Sequence, residues 1–519
     1  MRTRTIAILG LALVVTLAAS PPSARALDGT VKLGGIIRNQ TGDRSAVQET
    51  FNVYDGFAVS ELRLSGLVNP RHYVALDLRD VNLDSRRGDL VYRMPGLFKL
   101  GAGFDQHRQI FSPDAAVTSR RKDWKVGAEY TPLRWLGFSG AFDVQSRDGG
   151  RLAYPLGTLS ALGTQYDNTL RTGELTAEVH QDGRGAALTY RASEYKDELD
   201  AGAKRRGQVA SARLYAPDPF VRNLTHLVRV AFGERRLTGG DLDVTMGTFL
   251  YTGVLQPVDA FQLKYAFDAQ RTDDQSTRLR TDRYQNQIDA TWYHPYGQVG
   301  AGYAYETNDD DRSLTSYNTW RAGTVFRYRK YVDAKVEYTS RVKKDLEELT
   351  LLKDLDASQV RAKLQVRPRD EVAVGVGYAK REREFTDLHV DLKGDVLNAF
   401  GRCDLKGWGA LSADWSASTD DCQDLTGGFH TRSQAVTGRV DFERIKGVRL
   451  ASGLTWLNYR RDLDLEKSLV FAEGVFTVRD DYHLEVKYNC YNYDDYILLD
   501  RYYTANVLRI DLAYDLHLR

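Results

Sequence analysis

The chain has 519 residues, with 71 Lys plus Arg against 70 Asp plus Glu and a formal net charge of +1. Such balance excludes the strongly basic composition of a nucleic-acid binder and gives no pull towards an anionic surface. With a mean hydropathy of −0.45 and no apolar run of about 20 residues, the chain is not a bundle of membrane-spanning helices.

The N-terminus reads as an address. Arg2 and Arg4 precede an apolar run, Ile6 to Ala19, and Ala24-Arg25-Ala26 forms a small-x-small cleavage site. This is the pattern of a secretory signal peptide of residues 1–26, leaving 27–519 as one exported domain. Cysteine is sparse, with Cys403, Cys422 and Cys490 alone. An odd count in an exported chain leaves at least one thiol unpaired and implies no disulfide framework. The chain contains no Cys-x-x-Cys-His and no Cys/His cluster. Neither a covalent haem nor a structural zinc is therefore expected in it, and no cofactor or metal residue is assigned.

Read with period two, the exported chain gives about 26 candidate strands. The first five are Val31–Arg38, Phe57–Val68, Tyr73–Asp80, Leu90–Met94 and Leu97–Phe104. The pattern then sharpens: Trp124, Val126, Ala128 and Tyr130 alternate with Lys125, Gly127 and Glu129, and Leu136, Phe138 and Phe142 follow. Next come Leu175–Val179, Ala186–Ala192, Val209–Leu214, Leu224–Phe232, Val244–Val254, Phe261–Ala269, Tyr284–Trp292 and Val299–Tyr305. The series continues through Tyr317–Tyr328, Val332–Tyr338, Val360–Val366, Val372–Tyr378, Val396–Leu405 and Leu411–Ala417. Ala435–Phe442, Val448–Tyr459, Ser468–Val478 and Tyr482–Cys490 lead to the last stretch, Thr504–Arg519. There Leu508, Ile510, Leu512, Tyr514, Leu516 and Leu518 oppose Arg509, Asp511, Asp515 and His517.

Short turns such as Asn69-Pro70-Arg71, His294–Gly297 and Arg367–Asp370 alternate with longer polar stretches. Among the latter are Asn39–Gly56, Asp105–Asp123, Ser146–Thr172, Arg271–Asp282, Arg341–Ser358 and Ser418–Ser433. An even strand count with this asymmetry, and both ends on the short-turn side, is the signature of an all-β transmembrane antiparallel barrel with short periplasmic turns. A β-propeller repeats hairpins at a similar spacing, but its strands are shorter and do not sustain an apolar face over about ten residues. The partners implied are outer-membrane lipid and the barrel-assembly machinery of a Gram-negative cell.

Thirteen charged residues fall on the parity opposite the apolar face and are expected to face the lumen: Lys264, Asp268, Asp289, Lys335, Glu337, Arg361, Lys363, Arg367, Glu485, Lys487, Arg509, Asp511 and Asp515. Their mixed signs argue against a strongly ion-selective pore and suit a hydrated wall or a polar protein contact. His107, His389 and His430 are expected on outside loops, His483 and His517 on the lumen parity, and none has metal-ligand spacing. Asp309-Asp310-Asp311 and Asp494-Asp495 read as acidic loop tips. No nucleophile elbow or phosphate-binding glycine loop is present, so no catalytic residue is assigned.

In strand number, turn asymmetry and texture, as in Thr131-Pro132-Leu133-Arg134-Trp135 leading into Phe138-Ser139-Gly140-Ala141-Phe142, the chain resembles the outer-membrane porin subunits of porin–cytochrome conduits, the MtrB/PioB type. The resemblance implies a barrel without a plug that encloses a multihaem c-type cytochrome, the haem belonging to the partner. A general or solute-specific diffusion porin is the alternative reading.

Overall fold

The computed structural model describes residues 26–43, 55–111, 117–153, 162–199, 204–238, 243–275, 277–310, 313–346, 354–424, 427–497 and 502–518. Residues 1–25 of the expected signal peptide lie outside the described residues, and Ala26, its expected last residue, opens the first strand. The strands are β1 (Ala26–Gly42), β2 (Gly56–Asn69), β3 (His72–Arg79), β4 (Arg86–Met94), β5 (Phe98–Ile110), β6 (Thr118–Leu133), β7 (Leu136–Ala153), β8 (Leu162–Gln181) and β9 (Arg184–Asp197). They continue as β10 (Lys204–Pro217), β11 (Leu224–Thr238), β12 (Asp243–Val258), β13 (Phe261–Asp274), β14 (Leu279–His294), β15 (Gly297–Asp310), β16 (Ser313–Tyr328), β17 (Val332–Asp345) and β18 (Leu355–Arg369). The last are β19 (Val372–Phe385), β20 (Val390–Leu405), β21 (Gly409–Asp424), β22 (Gly427–Phe442), β23 (Val448–Arg461), β24 (Leu465–Arg479), β25 (Tyr482–Asp495) and β26 (Tyr502–Leu518). Among the described residues the one helical segment is a short 3-10 helix, Thr386–Leu388.

Neighbouring strands pair antiparallel, and β1 pairs with both β2 and β26. The sheet therefore closes on itself as a 26-stranded barrel. The chain divides into two compact units. One comprises Met1–Gly173, Glu473–Tyr488 and Ala505–Arg519, and it contains β1 and, from Ala505 on, its closing partner β26. The other comprises Glu174–Ala472 and Asn489–Thr504 and contains β9 to β23 entire.

All 26 strands expected from the alternation are present, and all but β3 run longer than expected. Much of what reads as polar loop is strand. β5 runs to Ile110 and β6 resumes at Thr118; β13 runs to Asp274 and β14 resumes at Leu279; β21 runs to Asp424 and β22 resumes at Gly427. The same extension puts His107 in β5 and His430 in β22, not on loops, and places Asp309 and Asp310 in β15 and Asp494 and Asp495 in β25. Asp311 lies outside the described residues. The reason is that alternation marks only the part of a strand with one apolar face. On β14 the parity that carries Tyr284, Ile288 and Trp292, all exposed, continues with Asp282 and Arg280. Backbone pairing persists there, with Arg271 opposite Asp282 in register, while the hydropathy signal is gone.

Tyr284 and Trp292 bound the apolar stretch of β14. Their separation corresponds to about 21 Å of height at a tilt of ~40°, close to the roughly 25 Å apolar band of outer-membrane barrels with its aromatic girdles. At the edge of the band away from the short turns, a tyrosine hydroxyl repeatedly donates to a polar side chain on the next strand. Tyr265 reaches Asn286 at 2.8 Å, Tyr303 reaches Asn318 at 2.6 Å and Tyr190 reaches Gln208 at 2.7 Å. Each acceptor sits diagonally across the ladder: Tyr265 stands opposite Ile288, Tyr303 opposite Trp320 and Tyr190 opposite Ala210. The short turns have their own requirement. Gly297 enters β15 at φ +147°, and a Cβ there would overlap the Val325 carbonyl of β16, so only glycine fits without strain.

Candidate functional site

The charged residues singled out from the sequence fall into two groups, one in each unit. In the second unit, β13 to β22 carry a run of long charged side chains over small ones, on the face opposite the apolar band. Lys264 on β13 stands in register with Asp289 on β14, and their side chains approach to 3.9 Å. Arg321 on β16 donates to Gln287 at 3.4 Å. Lys335 pairs with Glu337 two residues along β17 at 2.7 Å, a spacing that keeps both on one face.

Two open concavities of about 590 and 580 Å³ lie on this face and share Lys335, Glu337 and Arg361. The first is lined also by Lys264, Asp289, Gly300, Gly302, Arg321 and Gly323. Lys363, Gly377, Asn398, Phe400 and Asp414 line the second. Glycines make the concavities possible: the Asn398 side chain leans over Gly377 and the Phe400 ring over Gly375, where a Cβ would collide with each. The structure thus brings Lys264, Asp289, Lys335, Glu337, Arg361 and Lys363 together. Asp268 sits farther along β13 without an ion pair among the described residues, and Arg367 lies near the end of β18. Arg321, Asn398, Phe400 and Asp414 are not among the residues chosen from the sequence. Their parity within Tyr317–Tyr328, Val396–Leu405 and Leu411–Ala417 was the available signal.

In the first unit the group sits where the barrel closes. Lys32 of β1 is held between Glu61 at 3.1 Å and Glu485 at 2.9 Å. Arg509 bridges Asp80 and Asp511, each at 2.9 Å. Asp515 accepts from Thr30 at 2.8 Å and contacts His483 at 3.0 Å, while Lys487 pairs with Glu473 at 2.5 Å. A bulge between Lys32 and Leu33 of β1, opposite Glu61 and Val59, leaves Ser60 as an extra residue on β2. Its hydroxyl donates to Asp511, which is 6 % exposed. The segment after β3 extends the ladder over β2, with Asp80 and Val81 amides donating to Ser60 and Val59 carbonyls at 2.9 and 3.0 Å. Lys32, Glu61 and Asp80 escaped the sequence reading because a bulge exchanges the parity on which it depends.

The short turns form a third charged array. Lys330 lies between β16 and β17, Asp370 and Glu371 between β18 and β19, and Lys406 between β20 and β21. Lys330 Nζ is 2.5 Å from Asp370, and Lys406 pairs with Glu371. The Lys330 hydrogen bond and charge hold the Asp370 carboxyl below the usual carboxylate range, and Lys406 does the same for Glu371. Reciprocally, Lys330 and Lys406 are raised. Beside them, Arg444 lies 3.6 Å from the centre of the Trp408 ring system, within cation–π range.

Cys403, Cys422 and Cys490 form no disulfide, and no group of three or more metal-ligating side chains occurs among the described residues. What the site offers is a polar wall of both signs, largely paired internally.

No protein-family model matches the chain, and no curated protein matches it in sequence. Solved structures do match in fold. The siderophore receptor PirA from Acinetobacter baumannii aligns with a TM-score of 0.55 at 8 % identity, over 96 % of this chain and 81 % of that one. The ferric enterobactin receptor PfeA in complex with BCV-L6 gives a TM-score of 0.55 at 7 % identity, over 96 % and 82 %. The FrpB iron transporter from Neisseria meningitidis gives 0.53 at 8 % identity, over 95 % and 82 %. At these identities the similarity is one of fold. Taken with the apolar band and its aromatic edges, it makes the chain an outer-membrane β-barrel.

Proposed function

We propose that this barrel is a sheath: its polar face is the lumen wall and encloses a multihaem c-type cytochrome, through whose haems electrons cross the outer membrane. The observation that carries the reading is the strand number. Barrels of 16–18 strands already leave an aqueous channel, and this one has 26. Every described residue belongs to a strand of the ring or to a connection between two of them. An open hole of that order would breach the membrane's barrier, and an enclosed partner resolves the conflict. The wall supports the same reading. Its charges are of both signs and mostly paired with each other, which suits a polar protein contact better than a selective pore.

The test is to purify the protein from native membranes in mild detergent and record the Soret absorbance of the complex. The expected result is a stoichiometric multihaem signal that survives gel filtration, since this chain has no Cys-x-x-Cys-His of its own. A colourless barrel that conducts ions in a planar bilayer would overturn the sheath and leave a diffusion porin.

A further inference from the structure

Within the polar wall of the second unit, a pair of like charges stands directly opposed beside a concavity. Lys335 on β17 and Lys363 on β18 stand directly opposite each other in the antiparallel register. Both line the same concavity of about 580 Å³, so their side chains leave the sheet on one face. Directly opposed Cβ atoms in such a ladder lie ~4.5–5.5 Å apart, and like charges there repel. Lys335 has Glu337 at 2.7 Å as a partial counterion. Lys363 has no ion pair among the described residues; the Phe400 ring centre lies 5.9 Å from its ammonium.

The rest of the row leaves room above the pair. Lys363 is in register with Gly377, Gly377 with Asn398 and Asn398 with Ser416. Beyond the lysines the row therefore offers a glycine, an amide and a hydroxyl, and no further charge. An ammonium carries three donors and no acceptor. Two ammonium groups facing each other lack one thing, an anionic acceptor with two oxygens, one for each.

We infer that Lys335 and Lys363, with the Asn398 amide beside them, form a carboxylate-binding site that takes acidic side chains of a protein lying against this wall. That the carboxylates belong to an enclosed protein rests on the sheath reading; the affinity of the lysine pair for carboxylates does not. A carboxylate bridging the pair removes the repulsion between the two ammonium groups and supplies Lys363 with its counterion. The Lys335–Glu337 contact persists beside it, so the site selects for a bridging geometry and not for negative charge in general.

The experiment uses the exported chain folded in detergent without a partner. Fluorescein-labelled decaglutamate is titrated at low ionic strength and followed by anisotropy, with labelled decalysine as the sign control. Decaglutamate is expected to bind, and the Lys335→Gln/Lys363→Gln double variant to weaken it by at least about tenfold. Lys487→Gln, whose lysine is paired with Glu473 in the first unit, is expected to keep native affinity. Heat-modifiable migration on gels checks that each variant is folded. Equal affinity in native protein and folded double variant overturns the inference, as does an equal loss in Lys487→Gln or equal binding of decalysine. A colourless complex from native membranes together with selective decaglutamate binding would remove the cytochrome and leave the site standing.

Discussion

Tyr265 and Asn286 show what a single polar group at the edge of the apolar band requires. Asn286 shares its parity with Tyr284 and Ile288, both exposed towards the apolar side, and the Tyr265 hydroxyl satisfies its carbonyl at 2.8 Å. In lipid no water replaces a lost partner. Tyr265→Phe is therefore expected to cost about 1–3 kcal/mol, the price of an unsatisfied polar group, read as a lower urea midpoint in lipid vesicles. Replacing both partners, Tyr265→Phe with Asn286→Leu, is expected to restore most of the loss, because no orphaned amide remains. If the double variant is as weak as the single one, the hydrogen bond is not what holds this edge. Gly297 makes a second residue-scale case. Its φ of +147° and the overlap that a Cβ would make with the Val325 carbonyl put Gly297→Val at about 1–3 kcal/mol of backbone strain. A glycine in open space at an ordinary φ, such as Gly438, is expected to tolerate alanine with a much smaller change in the same midpoint.

At the scale of elements, the array across the short turns from Lys330 to Lys406 makes a prediction about pH. Asp370 and Glu371 are lowered by their lysine partners, so their contribution is present above the ordinary carboxylate values of about 4 and is lost as pH falls through the lower folded values. Lys330 and Lys406 are raised; their contribution is present below the ordinary value near 10.4 and lost as pH rises through the higher folded ones. Between about pH 5 and pH 9 nothing in the array titrates. The difference in urea midpoint between native protein and Lys330→Ala is therefore expected to be constant across that window and to shrink at about 1 M salt, where the Debye length is about 3 Å. A difference that follows pH through the neutral range would point to another group. Elements also mark how far the sequence could be read. All the strands were legible because a half-buried strand must alternate, and the apolar parity of β13 to β17 needs no structure to see. Strand ends were not, because past the band both faces are polar, as at Arg280 and Asp282. Contacts two residues apart on one strand, such as Lys335–Glu337 and Arg509–Asp511, were implicit in the spacing. The opposition of Lys335 to Lys363 was not, because register is fixed by pairing across a connection whose length carries no hydropathy signal.

At the scale of the whole molecule, the barrel depends on β1 finding β26, the pair most distant in sequence. Loop-closure entropy opposes such a contact until the strands between are in place, so the closing pair needs specific interactions of its own. The first unit supplies them. Ser60, displaced by the bulge in β2, donates to Asp511, and Arg509 ties Asp511 to Asp80 at 2.9 Å on each side. Asp511 is the most buried of these carboxylates, at 6 % exposure, and both of its oxygens are engaged. Removing it leaves a half-buried guanidinium with one counterion and a buried hydroxyl with none. Breaking a buried pair from one side costs about 3–5 kcal/mol, so Asp511→Ala is expected to lower the urea midpoint and leave a larger unclosed fraction on gels run without heating. Asp515→Ala, at a more exposed carboxylate on the same strand, is expected to do the same to a smaller extent. Lys487→Ala, whose partner Glu473 lies on β24, is expected to leave closure unchanged. If Asp511→Ala and Lys487→Ala behave alike, closure rests on the backbone ladder between β1 and β26, and the side chains at the seam serve only to hydrate the wall.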